Sequence, residues 1–273
     1  MKNKGMYLLL LPGVLFLTLF LVIPIVMTIA STFYQEGSFT VQGYFTFLTD
    51  PYNLKILWTT LRVSLVTTIA CILLGFPAAY YISKLGARKK GILLALAIFP
   101  LLTSSVVRSF SWMIILGKKG LLNSSLLSIG LIEKPLEILY TPTAMMIGLI
   151  HLFLPLIIIT LVGVMENIDP DLLKAAESLG ASRFTAFRQV ILPLSMPGLI
   201  IGSILVFVGS LTAYTTPALL GGKQGVISTF LYQNAITLND WHMASVIATI
   251  MIVITFVVIG LMNKIATKLN PKG

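Results

Sequence analysis

The residues able to do chemistry in this chain fall into three short stretches. The first is "LLTSSVVRSFSWMIIL" at positions 101–116. Treated as one continuous helix, it gathers Ser104, Ser105, Arg108, Ser109, Ser111 and Trp112 on one half of the circumference and Val106, Phe110, Met113 and Ile114 on the other. An arginine at the centre of an apolar helix costs about 3 kcal/mol or more in lipid, so Arg108 is expected to face the interior. There it could line a passage for a solute, pair with a backbone carbonyl, or reach outward to the membrane surface. The second stretch, "SLTAYTTPALLGG" at 210–222, places Tyr214, Thr215 and Thr216 before Pro217, whose missing N–H frees a carbonyl upstream. Broken backbone beside hydroxyls suits a substrate passage, and the same hydroxyls could instead bond along their own helix or to a neighbour. Ser104, Arg108, Trp112, Tyr214, Thr215 and Thr216 are therefore the candidate pathway residues. The third stretch, "PDLLKAAESLGASRFTAFRQV" at 170–190, carries mixed charge between two hydrophobic runs.

Other chemistry is poorly supplied. Cys71 is the sole cysteine and His151 and His242 the sole histidines, placed near opposite ends of the apolar region, so no metal site is expected. No H-E-x-x-H pattern, acid pair or serine with a basic partner is present, and "GGKQG" at 221–225 lacks the G-x-x-x-x-G-K-S/T spacing that cradles phosphates. The chain is expected to be no enzyme and to contain no ATPase site. An ion-driven secondary transporter generally places ionisable relays deep among its helices, yet the one acid at a span here is Glu166, at its end.

The elements that must hold these stretches are membrane spans. The chain has 273 residues, 57% hydrophobic and 10% charged. Six apolar runs, at about 6–30, 58–83, 91–116, 143–166, 195–220 and 243–266, can each cross a hydrocarbon core of roughly 30 Å. They are apolar all round and longer than alternating barrel strands, which predicts an all-α integral membrane protein with six transmembrane helices. The first run follows Lys2 and Lys4 as a signal peptide would, but no small-residue cleavage site precedes a polar domain, and it reads as a retained helix. The formal charge of +10 is dispersed between the runs, which argues against nucleic acid as a partner. With the N-terminus inside, twelve basic residues fall on the cytoplasmic side and five outside, with Arg62 and Arg108 within spans, so both termini are expected in the cytoplasm. Outer loops at about 31–57 and 117–142 are long enough for short surface helices.

The third stretch is punctuated as two short helices. Asp169 can cap the first, Pro170 suits its first position, Gly180 tolerates a left-handed turn, and Ser182 can cap a second helix with Phe184, Phe187, Val190 and Ile191 along one side. Pro193 and Pro197 are expected to mark its exit into the membrane. A simple connector needs about 2 to 8 residues, and this one is built as a docking element.

"AAESLGASRFTAFRQVILPLSMPG" resembles the EAA loop of permease subunits of ATP-binding-cassette importers, whose pattern runs Glu-Ala-Ala, three residues, Gly-Ala, then Phe, Val and Leu-Pro. The resemblance implies a type I ABC importer permease in the plasma or inner membrane, with an N-terminal helix and outer loop at 1–56, the transporter domain at 57–265, its coupling loop at 167–194 and a cytoplasmic tail at 266–273. It implies as partners a second homologous permease, two ATPase subunits, an external substrate-binding protein and the surrounding lipid. ATP and Mg would be used by the ATPase, and no cofactor would be bound by this chain. Lys174, Ala175, Ala176, Glu177, Gly180, Ala181, Phe184 and Phe187 would couple to the ATPase. One position departs from the pattern: Lys174 stands where the family usually has its first glutamate, with Glu177 as a candidate substitute or a solvated carboxylate. "RSFSWMIILGKKGLLN", "ILYTPTAMMIGLIHLFLPL" and "YTTPALLGG" are further similar to the first permeases of spermidine and putrescine importers, and related importers of opines or aminophosphonates share similar segments. The outer halves of these spans offer a polyamine no carboxylate, only the aromatic faces of Trp112 and Tyr214.

Overall fold

The computed structural model describes residues 4–35 and 37–269; Lys2 and Lys272, counted above among the inner charges, lie outside them. Apart from a two-residue hairpin, the regular structure in this range is helical. This follows from the solvent, because in lipid a chain must satisfy its backbone groups within each segment. The packing divides into two units: residues up to Lys55 with Phe230–Ile254, and Ile56–Thr229 with the residues from Thr255 onward.

In the first unit, α1 (Lys4–Leu17) continues through a wide π-helical turn at Thr18–Val22 into α2 (Ile23–Ser31). The turn ends two residues before Pro24, whose ring would clash with the carbonyl one turn back in a regular helix; widening the turn removes the clash. Tyr34–Gln35 pairs with Ser38–Phe39 across Gly37, and α3 (Gln42–Thr49) follows. Asp50 then caps α4 (Pro51–Ser83), its Oδ1 accepting from the N–H of Tyr52 at 2.7 Å. Gly43 of α3 lies beneath His242 and Val246; a Cβ there would meet Val246 Cγ2 at 2.8 Å.

In the second unit, α4 continues from Ile56 and is followed by α5 (Ala87–Leu102), α6 (Ser105–Leu116), α7 (Leu121–Ser128) and α8 (Pro142–Met165). After α9 (Pro170–Ser178), α10 (Arg183–Ala186) runs through a second π-helical turn at Phe187–Ile191 into α11 (Leu192–Thr212). Two short helices follow, α12 (Thr215–Leu220) and α13 (Ile227–Tyr232), and then α14 (Trp241–Leu269), of which the part up to Ile254 belongs to the first unit. The core joins α4, α8 and α11 through buried Cys71, Ala79, Ile157, Leu161 and Val206. Two glycines let α11 approach α8 closely: a Cβ on Gly198 would stand 2.8 Å from the Thr160 carbonyl, and one on Gly202 2.4 Å from Thr160 Oγ1. Small residues four apart permit such backbone contact where no water drives helices together.

Among the described residues five helices are long and apolar enough to cross a membrane, or six when the bent pair Ala87–Leu102 and Ser105–Ser128 is taken as one span. That pair corrects the continuous third helix expected above. The chain bends by 94° there, with Thr103 and Ser104 extended. Pro100 cannot donate to the preceding turn, which weakens the end of α5. The fifth run is likewise interrupted, at Ala213 and Tyr214. In the opposite sense, Pro193 and Pro197 do not end the helix before them: the wide turn at Phe187–Ile191 stops two residues before Pro193, as at Pro24, and the helix runs on. In the loop after α6, Asn123 is buried and fastens the segment by donating to the carbonyls of Gly117 and Leu136 while accepting from the Leu136 N–H at 2.7 Å.

Candidate functional site

The segment between α8 and α11 is organised by its own caps. Asp169 Oδ1 accepts from the Asp171 N–H at 2.8 Å, with Pro170 in the first turn of α9. At the other end Gly180 takes φ +91°, and the N–H groups of Leu179, Gly180 and Ala181 close onto the carbonyls of Ala175, Glu177 and Ala176. A residue with a Cβ adopts that conformation at a cost, which is why glycine ends the helix. Ser182 Oγ then accepts from the Thr185 N–H and starts α10.

This turn presents apolar side chains outward. Leu179 is 89% exposed and Phe184 74% exposed, with Ala175 exposed beside them and Ala176 and Ala181 half-buried. Phe187 behaves differently, packing edge-on against Phe76 at 5.8 Å and Tyr80 at 5.1 Å between ring centroids. The wide turn that begins at Phe187 breaks the common side expected for Phe184, Phe187, Val190 and Ile191: Phe184 faces out while Ile191 is buried. Phe187 thus fastens the segment to α4.

The charges at this segment pair locally. The Lys174 ammonium donates to Asp171 Oδ1 at 2.8 Å, and this hydrogen bond, with the attraction behind it, holds the Asp171 carboxyl below its ordinary range and Lys174 above its own. Both groups are exposed, so the pair fixes a geometry more than it adds stability. Glu177 Oε1 lies 3.8 Å from Arg183 Nε, across the Gly180 turn. Behind the segment, Lys90 of α5 meets Glu166 at 2.8 Å, tying α5 to the end of α8.

The polar stretch of α6 lies at the bend. Arg108 is only 6% exposed. Its Nη1 donates to the Pro100 carbonyl and, at 3.4 and 3.3 Å, to the Thr103 carbonyl and hydroxyl. The guanidinium therefore caps the last carbonyls of α5, at the negative end of that helix, where a cation is stabilised. One turn on, Trp112 Nε1 donates to His151 Nδ1 of α8 at 3.1 Å, with the two rings edge to face. A cavity of about 260 Å³ adjoins Arg108, Trp112, Thr103, Ser111 and His151. Ser104 is exposed at the bend itself, and Val106, Phe110 and Ile114 face outward as expected, whereas Met113 is half-buried against the cluster of Leu116, Ala144 and Leu220 and Ser111 is exposed.

The broken end of α11 reaches the same helix, because α12 packs on α6 and α8. Thr216 is buried with its methyl over Gly148, Thr215 is half-buried and Tyr214 is 40% exposed. The Ala213 carbonyl at the break accepts from Ser228 Oγ at 2.6 Å. The six candidate pathway residues thus lie on neighbouring elements, and two of them, Arg108 and Trp112, adjoin the 260 Å³ cavity. His151 and His242 are far apart in sequence and engage different helices, and no cluster of three metal-binding side chains occurs among the described residues. The partners that sequence reading passed over are Pro100 and Thr103, Phe76 and Tyr80, and the Lys90–Glu166 pair. A proline three residues before Thr103-Ser104-Ser105 was the available signal for the bend; the other partners are joined only by packing.

The chain is thus a multi-pass helical protein with a capped helix–glycine–helix segment before its penultimate long helix. Residues 71–271 match the family of binding-protein-dependent transport system inner membrane components, and the chain belongs to that family. It is 36% identical over 233 residues to the spermidine/putrescine transport system permease protein PotB of Escherichia coli (strain K12), covering 82% of this chain and 84% of that one. The corresponding PotB of Haemophilus influenzae is 35% identical over 240 residues, covering 85% and 84%. The fold is shared with a solved bacterial ABC transporter involved in the import of the acidic polysaccharide alginate, at a TM-score of 0.81 and 17% identity over 98% of this chain and 96% of that one. The protein is accordingly a multi-pass inner membrane transport subunit.

Proposed function

We propose that this chain forms half of the translocation pathway of an ATP-driven importer of spermidine or putrescine, and that α9, the Gly180 turn and α10 couple it to a separate ATPase. The likeness to the two PotB permeases over more than four-fifths of both chains carries the cargo. The coupling role rests on the exposed apolar pair Leu179 and Phe184, held at a capped turn and anchored behind by Phe187. Exposed leucine and phenylalanine on a polar segment are expensive in water and suit a partner's cleft. In this reading both termini and the segment face the cytoplasm, ATP and Mg are handled by the ATPase, and a second permease supplies the other half of the pathway.

Coupling then works by rigid-body motion. Closure of the ATPase pair moves α9, and the continuous helix from α10 through α11 carries the displacement into the membrane. The test of the cargo is calorimetry on the external binding protein encoded with this chain: spermidine or putrescine is expected to bind in preference to opines, aminophosphonates or sugars. Tight binding of another solute with no polyamine binding would assign the importer to a sister branch.

A further inference from the structure

Beside α9 the structure holds a cavity of about 470 Å³ between the ends of α4 and α8, walled by Tyr80, Ser83, Glu166, Ile168, Leu173 and Lys174 among others. Its size falls within the range of small-molecule sites, roughly 300 to 1,000 Å³. Besides Lys174, two of the protein's own ammonium groups contact wall residues. Lys84 Nζ lies 4.0 Å from the centroid of the Tyr80 ring and donates to the Tyr80 hydroxyl. Lys90 Nζ lies 2.8 Å from Glu166 Oε1. A lysine side chain is a butylammonium, so these contacts sample directly what the walls recognise: a cation over an aromatic face and a cation on a carboxylate.

We propose that this cavity binds a primary alkylammonium ligand, specifically a free linear diamine, at a site separate from the translocation pathway. The apolar walls of Ile168 and Leu173 suit the methylene chain, and the Tyr80 ring and the Glu166 carboxylate suit its ends. Glu166 can take a further donor, since a carboxylate accepts about four hydrogen bonds and Lys90 uses Oε1. Lys84 and Lys174 also line the cavity, Lys84 held on the Tyr80 ring and Lys174 by Asp171, so a ligand ammonium must share or displace the contacts that Lys84 and Lys90 make. Leu173 and Lys174 belong to α9, so a bound diamine braces that helix against α4 and α8 and restrains the segment proposed to move with the ATPase. The choice of a diamine rests on the polyamine reading; the ammonium chemistry of the walls does not.

The test is titration of 1,4-diaminobutane into the assembled complex in phosphatidylcholine nanodiscs, which contain no primary amine headgroup. Glu166→Gln and Tyr80→Leu are each expected to weaken binding about tenfold, the loss of one charge-assisted or ring contact. Lys84→Met is expected to tighten it about threefold by vacating the ring face and removing a like charge, an effect that a merely structural role for Lys84 does not produce. Absence of diamine binding, or binding indifferent to both Glu166→Gln and Lys84→Met, overturns the proposal. A complex that retains phosphatidylethanolamine through purification but takes no diamine in these discs overturns it in favour of a lipid headgroup. Polyamine uptake in proteoliposomes is read separately. Failed uptake with Glu166-dependent binding intact rejects the cargo and leaves the site, and normal uptake without such binding rejects the site alone.

Discussion

Arg108 illustrates how a single side chain changes meaning once its neighbours are known. As a residue type in an apolar stretch it suggests a solute passage; in the fold its Nη1 also donates to the carbonyls that the bend at Thr103 and Ser104 leaves without N–H partners. Arg108→Leu is expected to leave the Thr103 carbonyl unpaired and the Pro100 carbonyl with the Thr103 hydroxyl, at a cost of about 1 to 3 kcal/mol. Arg108→Lys, with one donor group in place of the fork, should recover part of that loss. Thermal unfolding of the detergent-solubilised complex checks both; a leucine variant as stable as wild type would show that the clasp is not needed to hold the bend. Gly180→Val is expected to be destabilising only locally. A Cβ there meets nothing within 4 Å, so the penalty lies in the φ of +91° rather than in a clash. The variant should insert and assemble while binding-protein-stimulated ATPase activity and uptake come apart, and wild-type coupling in an assembled variant would exclude Gly180 as the element that aims the loop.

At the scale of elements, the loop and the spans depend on different contacts. Phe187 lies against Phe76 and Tyr80, so Phe187→Ala should free α10 from α4 and reduce coupling while leaving the helices around α8 in place. Loss of two edge-to-face contacts and a half-buried ring is expected to cost about 2 kcal/mol at that point. Hydrogen exchange over 169–190 reads this directly, with faster exchange there and unchanged protection in α8. Gly202→Val tests the opposite case. Its side chain would collide with Thr160 and Ile157, forcing α11 off α8, and the expected result is loss of folded complex rather than loss of coupling alone.

For the whole molecule, the family assignment and the coupling reading make the solitary chain insufficient. Gentle purification of the tagged chain should recover a second permease and two ATPase subunits, which native mass spectrometry would count. Uptake by this chain alone in liposomes without ATPase would sink the importer mechanism. In the span Leu9–Ser31 no residue is buried within the chain, so much of its surface is left to face lipid or another subunit. Its contribution to assembly is open to the same measurement.

The sequence by itself determined the lipid environment, the number of apolar runs and the docking segment, because each depends on local composition and punctuation: length, hydropathy, Asp169 and Ser182 as caps, Gly180 as the turn. Hydrophobicity, however, has no direction within a membrane. A run that is apolar all round reads the same whether it is straight or bent, so 91–116 read as one helix although it turns by 94°. The pairing of Arg108 with the end of α5, of Phe187 with Phe76 and Tyr80, and of Lys90 with Glu166 joins residues on different elements or across a break. Those partners are chosen by how closely helices can approach, which Gly198 and Gly202 set for α8 and α11, and by which carbonyls a broken helix leaves free. Only the tertiary structure decides that, since neither quantity belongs to any one segment.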